Sequence, residues 1–314
     1  MKPQTLLLTS TIVFASCQSA IKNNNEPPKD SLPERTSDVI LPVPKATDNP
    51  AVDKPEDLLG YWVGNFEPDI DRDSLNKKMV YYNEDAWDRT NKINVSIDSI
   101  EGNTIIGHSV DAGTSQAFKG LYNFHNNTYS IILKEPGTNK YDGTFNMTIE
   151  KNAPALTGNW QAFNKIDIPR RKFILKKVAF AYNPAQELED YARFADWGKW
   201  VKNKVDPETE GWDKSYFTTT EDVIKYNASN RLLTEDEVAN LKKGDLYILR
   251  NSIYARHGFS FKNRPLRAFF DRQEWYVPIT LNIKSYYTVL EKKNIALLLR
   301  YEKTARSYYD TFGR

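Results

Sequence analysis

A hydrophobic period of two residues runs from Leu58 to about Tyr182, and it constrains the fold more than any other feature of the sequence. In KINVSIDSI the residues Ile93, Val95 and Ile97 fall on one side of an extended chain, and TFNMTIE repeats this alternation. Turn-forming triplets such as EGN, HNN and EPG separate the runs. This spacing predicts about eight antiparallel strands that form a barrel or a sandwich.

The pattern changes at Asn183 and Pro184, a pair typical of a helix N-cap followed by the first helical residue. Further on, LTEDEVANL and TVLEKKNIALL each place a threonine three residues before a glutamate, as in a capping box. These signals predict a helical connector at 183–232 and a small all-α domain at 233–309. The predicted fold class is therefore α+β, with an antiparallel β domain at 58–182 before the helical part.

The first 57 residues have the composition of an export signal and a tether. MKPQTLLLTSTIVFASC has a basic start, an apolar run too short to span a bilayer, and small residues before Cys17. FASC resembles the lipobox of bacterial lipoproteins, which implies a signal peptide at 1–16 and a lipid such as palmitate on the Cys17 thiol. The alternative is an ordinary secretory signal with a chance cysteine.

The segment 17–57 is rich in proline and polar residues, with seven of the 16 prolines between Pro27 and Pro55. Such a composition cannot bury enough apolar surface to fold, and it predicts a disordered tether. We therefore expect a lipoprotein of the bacterial cell envelope, in the outer membrane, at the end of a long tether. Which face of the membrane it occupies is left open.

Several function classes lack support in the sequence. A net charge of +2 without a long run of Lys or Arg argues against nucleic-acid binding. The single cysteine, Cys17, leaves no disulfide or thiol chemistry once it carries a lipid. The histidines are far apart, and no metal-ligand spacing, phosphate loop or Gly-x-Ser-x-Gly motif occurs. The sequence thus predicts no enzyme, cofactor or metal.

Two strands share a Gly-x-Trp motif, at Gly60–Trp62 and at Gly158–Trp160, and the last strand opens with Arg170 and Arg171. A Gly-x-Trp in the first strand with a basic residue on the last resembles lipocalin-type barrels. The resemblance implies that the cation covers the first tryptophan ring and closes the barrel base, and that the domain carries a small apolar ligand. Alternatively, both tryptophans are core residues of a sandwich.

The stretch LKKGDLYILRNSIYARHGFSFKNRPLRAFFDRQEWYVP resembles the YARHG domain, whose five name-giving residues stand at Tyr254 to Gly258. The similarity extends to LRNSI before the pentapeptide and to FSF and EWYVP after it. This family is a small module of exported bacterial proteins. The resemblance implies a location and a fold, and no reaction.

The residues of this stretch also have a direct physical interpretation. Gly258 fits the left-handed position after a helix, and Arg256 and His257 fit its last turn, at the negative end of the helix dipole. Arg250 and Asn251 lie on a helix that we expect to be buried on two sides, so they need partners from their own domain or from a ligand. The aromatic pair of EWYVP next to arginine offers a platform for a sugar or peptide. The candidate binding residues are Arg250, Asn251, Tyr254, Arg256, His257, Trp275 and Tyr276.

Together these features favour a lipid-anchored, non-enzymatic binding or scaffolding module of the cell envelope. Its expected partners are the membrane, through the lipid on Cys17, and a ligand that is a cell-wall polymer such as peptidoglycan, a glycan, or a peptide or envelope protein. One alternative is a lipocalin-like carrier of a small apolar ligand in the β domain. A third is an envelope hydrolase, which would need a cleft with convergent carboxylates.

Overall fold

The computed structural model describes residues 52–82, 85–189, 193–204 and 211–305. The predicted signal peptide, Cys17 and nearly all of the predicted tether lie outside the described residues. The strands are β1 (Gly60–Pro68), β2 (Val80–Tyr82), β3 (Asp85–Trp87), β4 (Asn91–Glu101), β5 (Thr104–Asp111), β6 (Thr114–His125), β7 (Thr128–Lys134), β8 (Gly143–Glu150), β9 (Ala155–Ala162), β10 (Arg170–Val178), β11 (Ala195–Lys204) and β12 (Trp212–Thr218). The α-helices are α1 (Arg72–Lys78), α2 (Glu235–Ala239), α3 (Lys243–Arg256), α4 (Arg264–Phe270) and α5 (Val289–Thr304).

Eight antiparallel strands close a barrel in the order β1-β10-β9-β8-β7-β6-β5-β4. The period of two decides which side chains fill it: along β8, Phe145, Met147 and Ile149 are buried while the residues between them are exposed. Each large apolar side chain buried in this way contributes about 2 kcal/mol to folding. The predicted α+β fold is confirmed, and the barrel is the correct form of the two that the pattern allowed.

The strand register corrects the expected closure of the barrel base. Trp62 is buried, and its Nε1 donates to the Leu58 carbonyl at 2.7 Å. The residue opposite Trp62 in β10 is Lys177, whose Nζ donates to the Asp57 carbonyl. The prediction that Arg170 or Arg171 covers Trp62 is wrong, because the pairing of β1 with β10 places both arginines at the other end of the barrel, opposite or beyond Pro68.

The prediction of a helical connector at 183–232 is also wrong within the described residues. Here β11 and β12 form a two-stranded antiparallel hairpin, followed by a 3-10 turn at Glu221–Lys225. Tryptophan and lysine alternate on one hairpin face, where the Lys214 amine lies 4.5 Å from the centre of the Trp200 ring. Such cross-strand pairs stabilise strands rather than a helix. Asn183 caps no helix; its Oδ1 accepts from the Ala185 N–H at 3.0 Å.

The C-terminal helices begin where the sequence predicts. Thr288 and Glu291 form a capping box at the start of α5, and Thr234 and Glu237 form one at the start of α2. Between them α3 is almost entirely buried and packs against α5. None of the helices in the described part of the chain is long and apolar enough to cross a membrane.

Gly258 follows α3 with φ +74°, so the predicted left-handed helix end is confirmed. An alanine Cβ at this position would lie 2.4 Å from Ile279 Cγ1. We expect Gly258→Ala to lower the free energy of unfolding by about 2 kcal/mol, through backbone strain and overpacking. Urea unfolding would measure this. Gly102→Ala is the matched control, since Gly102 has φ +61° with no atom within 4 Å of the added Cβ. Equal losses of stability in the two variants would show that the Ile279 side chain moves away from the added Cβ at no cost in free energy.

The barrel mouth is bonded to the helical region. In the β5–β6 turn, the Gly113 N–H donates to Ser260 Oγ at 3.0 Å. In β4, the Lys92 N–H donates to Asp271 Oδ2 at 2.8 Å, and Lys92 Nζ donates to the Gln273 carbonyl at 2.6 Å. Hydrogen bonds to charged groups contribute more to stability than hydrogen bonds between neutral groups, particularly where water is excluded. The loops after α3 and α4 are thereby held against the end of the barrel.

Candidate functional site

The sequence assigned no partner to Arg250 and Asn251. In the structure, both residues form contacts within their own domain. Arg250 pairs with Glu302, with Nε 3.0 Å from Oε2 and Nη2 3.3 Å from Oε1. Its guanidinium also lies over the rings of Tyr247 and Tyr254. Asn251 Nδ2 donates to the Tyr247 carbonyl at 2.7 Å, within α3 itself. The Arg250–Glu302 pair therefore joins α3 to α5, and Asn251 is bonded within α3.

Arg256 and His257 are also buried and bonded. Arg256 Nε donates to the Gln186 carbonyl at 2.7 Å, and burial lowers the pKa of this guanidinium to about 10. His257 Nε2 lies 2.8 Å from Glu291 Oε2, and its ring stacks on Tyr182 with centroids 4.3 Å apart. The Tyr182 hydroxyl donates to the second oxygen of Glu291 at 3.0 Å. Glu291 is thus the centre of a buried network at the end of α3.

The aromatic platform expected at EWYVP is mostly part of the core. Tyr276 is buried, and its hydroxyl donates to the Phe259 carbonyl at 2.7 Å. Trp275 is half-buried beside a small pocket of about 100 Å³, and its Nε1 has no hydrogen-bond partner among the described residues. The candidates from the YARHG stretch are therefore mainly packing and network residues in the described fold.

A second cavity, of about 390 Å³, opens at the mouth of the barrel beneath the helical region. Aromatic rings of the barrel, among them Phe66 and Trp160, form part of its wall. Charged side chains form much of the remainder, five basic and three acidic, and α4 with the preceding loop supplies three of the basic ones. These charged residues are Arg89, Arg171, Lys262, Arg264, Arg267, Asp111, Glu135 and Asp167. We call this space the mouth cavity.

Glu135 holds one wall of the mouth cavity in place. Its Oε2 accepts from the Gly143 N–H at 2.6 Å and from Trp160 Nε1 at 3.1 Å, while Oε1 accepts from Ser109 Oγ at 3.2 Å. These bonds fix the chain between β7 and β8 against β5 and β9. Burial nevertheless raises the pKa of Glu135 from its ordinary 4.5 to about 7, because the three bonds only partly offset the loss of water.

Two arginines face the mouth cavity from different domains. Arg171 of β10 donates from Nη1 to the carbonyls of Phe66 and Arg89, at 2.6 and 3.0 Å, and burial lowers its pKa to about 10. Arg267 of α4 stands over the Trp87 ring at 5.4 Å, and its buried Nε has no hydrogen-bond partner among the described residues. Burial lowers the pKa of Arg267 as well. Both cations are therefore poorly solvated and held in position.

The acidic residues of the mouth cavity compensate these charges only in part. Asp167 is already engaged by Lys78 and by Arg89, the latter at 2.8 Å. Asp111 attracts Arg171 and Arg267 but forms an ion pair with neither among the described residues, and burial raises its pKa. Asn91 Oδ1, also at the cavity wall, has no hydrogen-bond partner in the described part of the chain. The cavity thus presents polar groups that a bound molecule could satisfy.

Sequence analysis missed this site. Arg171 drew attention only as a cover for Trp62, and Arg267 stood inside a stretch whose other residues were selected. The signal that could have found Arg171 is a basic residue at an inward-facing position near a strand end. No three His, Cys, Asp or Glu side chains in the described residues are grouped to hold a metal.

Comparison with known proteins identifies the C-terminal region. Neither the curated proteins nor the solved structures give a significant match to this chain. The family model of the YARHG domain matches residues 221–303, a segment that holds α2, α3, α4 and nearly all of α5. The match begins at 221, in the 3-10 turn after β12, rather than at 233 as expected. Residues 221–303 of this chain are therefore a YARHG domain, placed after an eight-stranded antiparallel barrel.

Proposed function

We propose that this chain is a non-enzymatic binding protein of the bacterial cell envelope, anchored through a lipid on Cys17, whose ligand enters the mouth cavity. The observation that carries the proposal is the cavity itself. At about 390 Å³ it falls within the range of small-molecule sites, and its lining combines aromatic rings with two polar atoms, Asn91 Oδ1 and Arg267 Nε, that lack partners among the described residues. This combination suits a short piece of cell-wall polymer, glycan or peptide.

The charged lining favours a polar ligand over the apolar one of a lipocalin-like carrier. An apolar molecule would remove water from Arg171, Arg267 and Glu135 without replacing its hydrogen bonds. A sugar or peptide can return them through hydroxyl, amide and carboxylate groups. We therefore place the ligand at the barrel, as the lipocalin-like carrier hypothesis does. We expect a polar ligand there instead of an apolar one.

The mouth cavity also holds two carboxylates with raised pKa, Asp111 and Glu135, which is what the hydrolase hypothesis required. Both oxygens of Glu135, however, already accept hydrogen bonds from Ser109, Gly143 and Trp160. A general acid must present its proton to a leaving group, and Glu135 is turned instead toward its own loop and strands. We therefore propose binding without reaction.

A cavity-filling variant tests the site. We expect the purified protein to bind soluble peptidoglycan fragments of one disaccharide-peptide unit, measured by isothermal calorimetry. Gln116→Trp would fill the cavity from β6 and should weaken binding at least about ten-fold, since it occupies the ligand's volume. Ser115→Trp is the control, because the neighbouring Ser115 is exposed and does not line the cavity. Equal affinity of both variants would place the ligand elsewhere, and no binding by the wild type would exclude this ligand class.

The lipid anchor needs a separate test in the bacterial cell. We expect Cys17→Ser to move the protein from the membrane fraction to the soluble fraction after cell lysis and ultracentrifugation, because the thiol that would carry the lipid is absent. Ser10→Cys with Cys17→Ser is a control that restores a thiol at the wrong place. A Cys17→Ser protein that stays fully in the membrane fraction would contradict the anchor.

A further inference from the structure

The electrostatic balance of the mouth cavity is uneven. Of its five basic side chains, Arg89 is paired with Asp167, which leaves Arg171, Lys262, Arg264 and Arg267 without an ion pair among the described residues. Against these four stand two carboxylates of the lining, Asp111 and Glu135, and burial favours the neutral form of each. Outside the lining, Asp271 also attracts Arg267. A surplus of positive charge therefore faces a space that is partly shielded from water.

Arg171 and Arg267 are the cations held closest to this space. Burial is the main cause of the lowered pKa of Arg171, and the charge of Arg267 lowers it further against the attraction of Asp111, so the two guanidinium groups are close enough to repel each other. Carbonyl oxygens orient Arg171 without neutralising it, and the Trp87 ring supports Arg267 from one side. Repelling, desolvated guanidinium groups that are held in place favour an anion between them, since an anion would relieve both repulsion and desolvation.

The remaining lining specifies more than a simple ion. Asp111 and Asn91 Oδ1 are acceptors at the same wall and suit hydroxyl groups. Tyr141 is an exposed ring of the lining, while Phe66 and Trp160 are largely buried in the barrel core, and ring surface of this kind suits the C–H face of a sugar. A cavity of about 390 Å³ has room for one or two hexose rings.

We propose that the mouth cavity binds an anionic sugar, with the carboxylate or phosphate of the sugar between Arg171 of the barrel and Arg267 of the YARHG domain. The inference rests on the proposed function and names the ligand class of the same site. It also assigns the YARHG domain a role, because α4 supplies one of the two guanidinium groups and the loop before it supplies Lys262. The site is complete only where the two parts of the chain meet.

Three matched probes test the charge requirement with the full chain: glucose, glucuronate and glucose 6-phosphate, titrated at low salt and at pH 6, below the pKa of Glu135. Glucuronate differs from glucose by the carboxylate. We expect glucuronate to bind roughly ten-fold more tightly, because its carboxylate forms a charge-assisted hydrogen bond that glucose cannot form. The phosphate arm distinguishes a phosphorylated sugar from a uronic acid. Glucose that binds as tightly as both anions would overturn the inference.

Arg267→Gln is the informative variant, since the buried Nε of Arg267 has no hydrogen-bond partner among the described residues, and the substitution removes its charge together with its contact with the Trp87 ring. We expect it to weaken glucuronate binding roughly ten-fold while leaving glucose unchanged. Arg170→Gln is the control, an exposed arginine next to Arg171 that faces away from the cavity. If both variants weaken glucuronate binding equally, a general electrostatic attraction and not a specific site accounts for the binding, and the inference fails.

The two proposals fail in different ways. Peptidoglycan fragments that bind in a manner sensitive to Gln116→Trp, with no preference for the anionic probes, would leave the proposed function standing and overturn the anionic-sugar inference. Absence of binding by all probes and by the fragments would overturn both. Anionic probes that bind independently of both Gln116→Trp and Arg267→Gln would overturn the assignment to the mouth cavity.

Discussion

Glu291→Ala should lower the free energy of unfolding by about 4 kcal/mol, as expected when one partner of a buried charged network is removed. Glu291 is fully buried and accepts from His257, from the Tyr182 hydroxyl and from the Thr288 N–H. Its removal would leave these groups without a partner and the end of α3 detached from the start of α5. Urea unfolding followed by circular dichroism would measure the loss.

Glu237→Ala provides the matched control. Glu237 occupies the same capping-box position at the start of α2, where it bonds Thr234 and pairs with Arg231 near the surface. Loss of a solvated capping box costs about 1 kcal/mol. A Glu291→Ala loss no larger than that of Glu237→Ala would mean that Glu291 acts as a cap and that the His257 and Tyr182 contacts add little.

The pH dependence gives a second readout for Glu291. Burial disfavours its charge, but the hydrogen bond and charge of His257, with the Thr288 N–H, hold its pKa below the ordinary 4.5. A depressed acid pKa contributes stability that is present above the ordinary value and is lost as pH falls through the folded value. The difference between the wild type and Glu291→Gln should therefore shrink below about pH 4.5.

Local chemistry explains why much of the fold was predictable. In β4 the alternation of Ile93, Val95 and Ile97 with polar residues indicates a strand without reference to any other part of the chain, and the structure buries the polar residues between them as well. The end of α3 follows from Gly258 alone, and the capping boxes follow from residues three apart. Features of this kind depend on a few neighbouring residues, which a sequence displays directly.

Features that depend on pairing between distant segments were not predictable. Lys177 rather than Arg171 stands opposite Trp62 because of the register between β1 and β10, which no single strand specifies. The β11–β12 hairpin was mistaken for helix because Asn183 followed by Pro184 was interpreted as a helix N-cap, whereas Asn183 Oδ1 accepts from the Ala185 N–H ahead of a hairpin. The mouth cavity requires α4 to lie over the end of the barrel, so Arg171 and Arg267 come together only in the folded chain.

Glu135 provides the second large expected effect, a loss of stability with rising pH. Its pKa is about 7 in the folded chain and 4.5 ordinarily, so the folded state binds the proton more tightly. The stability from the protonated carboxyl is complete below about pH 4.5 and is lost as pH rises through about 7. A shift of this size corresponds to about 3 kcal/mol.

Glu135→Gln isolates this contribution. A glutamine can accept from Trp160 and Gly143 and donate to Ser109, as the protonated acid does, so the variant should match the wild type at pH 4.5. At pH 8 it should be more stable than the wild type by about 3 kcal/mol. Comparison of the two proteins is essential, because burial also raises the pKa of Asp271 to about 7 and gives both the same background slope.

Urea titrations of both proteins at half-unit steps between pH 4.5 and 8 would measure the difference. Glu150→Gln is the control, because it makes the same substitution at an exposed carboxylate at the end of β8. Parallel curves for the wild type and Glu135→Gln would contradict a buried, protonatable Glu135. Glu135 would then add a full negative charge to the lining of the mouth cavity at neutral pH, which argues against an anionic sugar as well.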